Sequence, residues 1–213
     1  MALTVYLDRF WISPYAFSAF VALEEKGVPF QVKELGLDKK DHHDPAYRKG
    51  SLTGRIPSLE HDGFWLSESS AIDEYLEDTF PPPKHPRLYP AGTKDRARAR
   101  QLQAWIRSDL MPIREERGTH TMFYKKAEKP LSKEGQEAAK RLLEVAGALL
   151  PEGKDQLFES WSIADADLAF MLMRLVMNGE AVPPRVKAFA ETQWKRPSVK
   201  KFAERSRPPY VPY

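Results

Sequence analysis

The 213-residue chain contains no cysteine. That excludes disulfides, thiolate metal sites and any protein thiol as a nucleophile. No run approaches the roughly 18 apolar residues of a membrane helix, so no membrane partner is expected. The start, MALTVYLDRF, has no basic stretch leading into an apolar segment. No secretion leader is therefore expected, and cytoplasm is the expected compartment. Charge of one sign is scarce as well: 33 basic and 30 acidic residues leave +3, interleaved as in REER and KDRARAR. A nucleic-acid binder needs a concentrated basic face, so none is expected, and Arg96, Arg98 and Arg100 read as a solvated helix face. What is present is ordinary, 42% hydrophobic and 30% charged residues, enough for one large domain or two modest ones.

The first eighty residues alternate between strand and helix signals. LTVYLD, Leu3 to Asp8, is a β-branched and aromatic run that predicts a strand. Ser13-Pro14 is the expected way to begin a helix. Apolar residues at Phe17, Phe20, Val21 and Leu23 continue it, and Gly27 stops it after Lys26. VPFQVKEL, from Val28 to Leu35, alternates again and predicts a second strand, parallel to the first through a right-handed crossover. A polar loop with a short irregular helix is expected from Asp38 to Gly54. A hairpin follows, with strands Arg55 to Glu60 and Phe64 to Ser67 around His61-Asp62-Gly63, since Asp-Gly is a strong turn signal. A helix begins near Ser69 and is stopped by Pro81-Pro82-Pro83. This order is that of a thioredoxin-like α/β domain.

PPPKHPRLYP, Pro81 to Pro90, reads as a linker. Beyond it only helical periodicity is visible. One helix is expected from Lys94 to about Tyr124, another from about Ser132 to Leu150, a third from Ile163 to Met177 and a last from near Pro197. The third is apolar nearly all round, hence buried, and Ser162 and Asp165 form the pattern of a capping box. Its methionines, Met171, Met173 and Met177, read as core filling. The expected organisation is an α/β domain over 1–80, a linker over 81–90 and an all-helical domain over 91–213.

In the thioredoxin-like scaffold the place of a reactive cysteine, just ahead of the first helix, holds Ser13. No G-x-S-x-G elbow or His-Asp partner accompanies it, so a serine hydrolase is not expected. A hydroxyl at a positive helix end suits an anion, and a thiolate held there has a lowered pKa. A chain without cysteine can therefore do thiol chemistry if the thiol arrives on a ligand. Locally, Ser13 as a simple N-cap remains an alternative reading, as do Pro57 as an edge-strand proline and Ser70 with Asp73 as a capping box. Asp41-His42-His43-Asp44 superficially suggests metal ligands, but with no other clustered histidine it reads as a solvated loop, and no metal is expected.

SPYAFSAFVALEEKG, RIPSLEHDGFWLSESSAIDEYLED and IADADLA together resemble the glutathione transferases, over nearly the whole chain. RARARQLQAWIRSDLMPIREER makes the bacterial YfcF-like subgroup the nearest resemblance. The resemblance implies glutathione as co-substrate, activated at Ser13 as the catalytic residue. It implies that Pro57 is a cis-proline and that the Ile56 backbone pairs with the cysteinyl part of glutathione. Glu68 and Ser69 would hold the γ-glutamyl end, and His42 and Arg55 the glycyl carboxylate. Phe10, Trp11 and the Trp105 to Arg114 helix become candidates for the pocket of a small electrophile, disulfide or peroxide. A homodimer is implied too. Ser51-Leu52 stands where many relatives have Asn-Pro, and Gly54 where some classes keep a polar residue. A non-catalytic regulatory protein on the same fold and a glutathione-dependent isomerase are the alternatives.

Overall fold

A computed structural model describes residues 2–213 and divides the chain into two compact units. The first comprises residues up to Leu88 together with Ser198–Tyr213; the second is Tyr89–Pro197. The last sixteen residues thus cluster with the α/β unit. The cause is aromatic: Phe202 is fully buried and packs on Trp11, Phe17 and Phe20 at ring separations of 5.2, 5.3 and 5.9 Å.

The first unit is built on a four-stranded sheet in the order β2-β1-β3-β4. Strand β1 (Leu3–Asp8) is buried along its whole length. It pairs in parallel with β2 (Gln31–Leu35) and antiparallel with β3 (Ser58–His61), which pairs antiparallel with β4 (Phe64–Ser67). Helix α1 (Pro14–Lys26) begins and ends at the residues the sequence predicts, with Ser13 as N-cap and Gly27 at φ 62° closing it. Between β2 and β3 the polar loop contains a 3₁₀ turn over Asp41–His43 and helix α2 (Pro45–Gly50). Helix α3 (Ser69–Thr79) packs against α1.

Two strands are shorter than predicted. β2 starts at Gln31, opposite Thr4, because Pro29 has no amide hydrogen for the ladder. β3 starts at Ser58 for the same reason, with Pro57 ahead of it; Arg55 and Ile56 lie outside the strand, and His61 pairs with Phe64 within the ladder. The alternative in which Ser70 and Asp73 start the helix is not what caps α3: Glu68 is its N-cap, and buried Asp73 accepts from Ser18 Oγ at 3.0 Å.

The second unit is helical: α4 (Thr93–Ser108), α5 (Met111–Glu116), α6 (His120–Phe123), α7 (Lys133–Leu149), α8 (Ile163–Asn178) and α9 (Pro184–Trp194). The predicted long helix from Lys94 to Tyr124 is broken in two places. Leu110, at φ 62°, ends the first segment ahead of Pro112. A non-helical stretch around Gly118 separates the next two. α9 was not foreseen, although Pro184 at its first turn and buried Val186, Phe189 and Ala190 are a helix signature. Buried α8 packs on α4, α6, α7 and α9. Its capping box is present, with Asp165 accepting from the Ser162 amide at 2.8 Å, its hydroxyl at 2.9 Å and the Leu157 amide at 2.7 Å. Helix α10 (Pro197–Ala203) leads into the irregular tail. Among the described residues no helix is long and apolar enough to cross a membrane.

A buried ion pair locks the α1–α3 pairing in the first unit. Lys26 is 1% exposed, and its ammonium donates to Glu77 Oε2 at 2.6 Å, Phe80 O at 3.0 Å and Pro86 O at 2.8 Å. Glu77 Oε2 also accepts from the Leu88 amide at 2.8 Å. All three hydrogens of the ammonium are thus used, which such burial requires. Lys26→Met should lower unfolding free energy by about 3–5 kcal/mol, because it strands a buried carboxylate. Lys26→Met with Glu77→Gln should recover most of that, as measured by denaturant titration. A loss from the single variant no greater than from the double would show that Glu77 is not held as a charge.

Candidate functional site

The strand registers bring four chain segments to one end of the sheet. β1 runs parallel to β2, so the turn toward Ser13 and the loop after Leu35 leave the same edge. The β1–β3 ladder ends at Tyr6–Ser58, so the chain enters β3 from Ile56-Pro57 at that edge too. Ser58 in turn faces Ser67, so Glu68 and Ser69 leave β4 there. Residues widely separated in sequence are thus gathered by backbone pairing alone.

Ser13 is fixed by the carboxylate that ends β1. Asp8 is fully buried and accepts from the Ile12 amide at 3.0 Å and the Ser13 amide at 3.3 Å, while its carbonyl accepts from Trp11 at 3.1 Å. Burial pushes the Asp8 carboxyl up from its ordinary value; the amides of Ile12 and Ser13 and the charge of Arg207 oppose that. Trp11 sits at φ 52°, sterically costly for a residue with a side chain. Its ring is held, with Nε1 donating to Glu34 Oε1 at 2.7 Å and the Arg205 guanidinium 3.9 Å from the ring centre. Ser13 Oγ accepts from the Ala16 amide at 3.2 Å. That bond uses a lone pair, and among the described residues no acceptor takes the hydroxyl hydrogen. Capping and ligand donation are therefore compatible in one side chain.

The Ile56-Pro57 and Glu68-Ser69 corners are tied together by buried hydroxyls. Tyr47 Oη donates to Arg55 O at 2.6 Å and lies 2.9 Å from Ser58 Oγ. Ser51 Oγ is 3.0 Å from both Ser58 Oγ and Ser67 Oγ. Ser51, noted above as a departure from the family pattern, thus fastens α2 to the start of β3 and the end of β4. The Ile56-Pro57 bond is cis. Among the described residues neither the amide nor the carbonyl of Ile56 has a backbone partner. Glu68 is exposed at φ 74°, ψ 116°, a strained backbone that points a carboxylate outward from the N-terminus of α3. Ser69 is buried at the first position of that helix, whose leading amides have no helical partner.

His42 and Arg55 belong to a positive cluster that also contains Arg48. Burial, then the charges of His43, Arg48 and Arg55, hold the His42 imidazole below its ordinary value, with Asp41 opposing. His42 Nδ1 is buried without a partner. Gly54, at φ 63°, lies under Arg48: a β-carbon there would collide with the guanidinium. The glycine that stands in place of a polar residue therefore makes room for a cation. Sequence reasoning missed Arg48, which nothing in its local pattern distinguishes from a solvated helix residue. It also missed Asp8 and Tyr47, read as parts of a strand and a loop. No group of three or more acidic, histidine or cysteine side chains among the described residues is arranged to hold a metal ion.

Phe10 and Trp11, candidates for an electrophile pocket, are 0% and 1% exposed. Tyr210 and Tyr213 pack on Phe10 at 5.6 and 5.7 Å, and Phe202 packs on Trp11.

Comparison with known proteins bears on this geometry. A "Glutathione S-transferase, N-terminal domain" matches residues 12–79, and a "Glutathione S-transferase, C-terminal domain" matches residues 92–207. A maleylpyruvate isomerase from Ralstonia sp is 33% identical over 52% of this chain and 51% of its own length. A maleylacetoacetate isomerase from Dictyostelium discoideum is 37% identical over 50% and 48%. The chain spans about half the length of these curated relatives. A solved glutathione transferase homologue from Burkholderia BGR1, with bound glutathione, superposes with a TM-score of 0.80 at 42% identity, covering 96% of this chain and 97% of the other. With both halves of the chain matched and this likeness along nearly its full length, the protein belongs to the glutathione S-transferase family.

Proposed function

We propose that the first unit binds glutathione and that the protein uses its thiol, activated at Ser13, to attack an electrophile. The observation that carries this reading is Ser13 at the N-terminus of α1, its amide held by Asp8 and its hydroxyl hydrogen taken by no acceptor among the described residues. A hydroxyl donating to sulfur stabilises the thiolate over the thiol, and the positive helix end adds to it. The thiol proton goes to solvent, the sulfur bonds to the electrophilic atom, and the leaving group departs with its electron pair. The enzyme itself forms no covalent intermediate.

The rest of the ligand fits the corners of the site. The free amide and carbonyl of Ile56 suit the cysteinyl backbone in a strand-like pairing. The exposed Glu68 carboxylate suits the γ-glutamyl ammonium, and Ser69 with the leading amides of α3 suits its carboxylate. His42, Arg48 and Arg55 suit the glycyl carboxylate. The bound glutathione of the 42%-identical Burkholderia structure supports this assignment. Resemblance to the YfcF-like subgroup extends the reading to disulfides and hydroperoxides, which the same thiolate reduces as two glutathiones are oxidised to their disulfide. The working form is a homodimer in the cytoplasm. The two isomerase relatives favour a second reading, in which glutathione adds to the substrate and is released unchanged.

Two measurements test the proposal. Ser13→Ala should raise the pKa of bound glutathione by about one to two units, the worth of a hydrogen bond to a charged group. Ultraviolet titration of the thiolate reads this, and an unchanged pKa with unchanged turnover would leave Ser13 a cap and nothing more. His42 is held low in the free protein, so an incoming carboxylate raises its pKa and a proton is taken up on binding. Affinity for S-methylglutathione, which has no thiol to titrate, should therefore fall as pH rises from the free-state to the bound-state pKa of His42. Calorimetry in buffers of different ionisation enthalpy should show proton uptake in wild type between the free-state and bound-state pKa of His42, reduced in His42→Gln. Equal uptake in both would remove His42 from the site.

A further inference from the structure

The turn that carries Ser13 is braced by the end of the chain. Arg207 lies four residues beyond α10 and half-buried in the first unit. Its Nε and Nη2 donate to Trp11 O at 3.2 and 3.1 Å. Nη2 also donates to Phe202 O at 2.9 Å, and Nη1 to Ala203 O at 2.9 Å and Arg205 O at 2.8 Å. These are carbonyls at and just beyond the C-terminal end of α10, where the helix supplies few donors of its own. One planar guanidinium therefore joins a helix end to a single carbonyl of the Ser13 turn.

That carbonyl belongs to Trp11, the residue at φ 52°. A strained conformation persists only when its surroundings over-determine it. Here Asp8 takes the amides on one side of the turn and Arg207 takes the carbonyl on the other. Helix α10 has other anchors: buried Phe202, Ser198 Oγ donating to Glu25 and Lys201 paired with Glu24 at 2.5 Å. The fork of Arg207 is thus directed at the turn more than needed to hold the helix.

We infer that Arg207 is a positioning residue, which fixes the Trp11 carbonyl and through it the direction of the Ser13 hydroxyl. Its consequence for catalysis rests on the glutathione reading above; its action on the turn does not. A lysine at this position keeps the charge and loses the fork, which separates orientation from the direct field of a cation on a bound thiolate.

The test compares full-length wild type, Arg207→Met, Arg207→Lys, Ser13→Ala and the Ser13→Ala/Arg207→Met double variant. Arg207→Met should raise the pKa of bound glutathione by about half a unit to one unit, a share of what one hydrogen bond to a charge provides. It should change affinity for S-methylglutathione less than about threefold, under one pK unit of free energy. Arg207→Lys should match Arg207→Met, and in the Ser13→Ala background the Met substitution should add nothing. Amide exchange at Ile12 and Ser13 should quicken in both Arg207 variants, with α10 still protected. A wild-type titration in Arg207→Lys would overturn the inference in favour of charge alone, and an added shift in the double variant would show that Arg207 does not act through Ser13. Unchanged exchange at Ile12 and Ser13 would overturn the brace itself. If wild type binds glutathione without forming thiolate, the activation reading fails, and the exchange comparison still decides whether Arg207 holds the turn.

Discussion

The carboxylate of Asp8 is the constraint on which the site depends. It is buried at the end of β1, and a buried carboxylate must find donors. It finds them in the amides of Ile12 and Ser13, which forces the chain to double back as it leaves the sheet. That reversal delivers Ser13 to the start of α1 and leaves Trp11 in a strained conformation. The remaining contacts of the turn, from Glu34, Arg205, Phe202 and Arg207, hold in place what Asp8 has bent.

The same economy governs the opposite corner. Buried hydroxyls of Tyr47, Ser51, Ser58 and Ser67 connect α2 to the start of β3 and the end of β4. Among the described residues, the Ile56 amide and carbonyl have no backbone partner, and the Glu68 carboxylate stands exposed at the start of α3. The corner thus carries an exposed carboxylate, Glu68, at the start of α3, and the guanidinium charges of Arg48 and Arg55 around His42.

Much of this was legible in the chain. β1, α1, α3, α7 and α8 announce themselves by period, cap and stop residue. Ser13 stands out once the thioredoxin-like order is read; Ile56, Glu68 and Ser69 were singled out only by the resemblance to the glutathione transferases. What failed has physical causes. Val28 to Phe30 and Arg55 to Ile56 alternate like strands, but Pro29 within the first and Pro57 just after the second withhold the amide that a ladder needs. Ser70 and Asp73 have the spacing of a capping box, yet Asp73 is drawn to Ser18 on the neighbouring helix. Lys26 reads as the polar end of α1 and is one of the most deeply buried side chains.

By itself the sequence determined most of the strands, helices α1, α3, α7 and α8, and the absence of a cysteine thiol. Those follow from local propensities and from chemistry that a list of residues already contains. Only the tertiary structure decided that residues 198–213 join the α/β unit, that Arg48 lies over Gly54 and that Arg207 reaches Trp11. It also decided that Phe10 and Trp11 are buried in the core. Each of these depends on which distant surface a side chain meets, and long-range packing leaves no period or spacing in the chain to announce it.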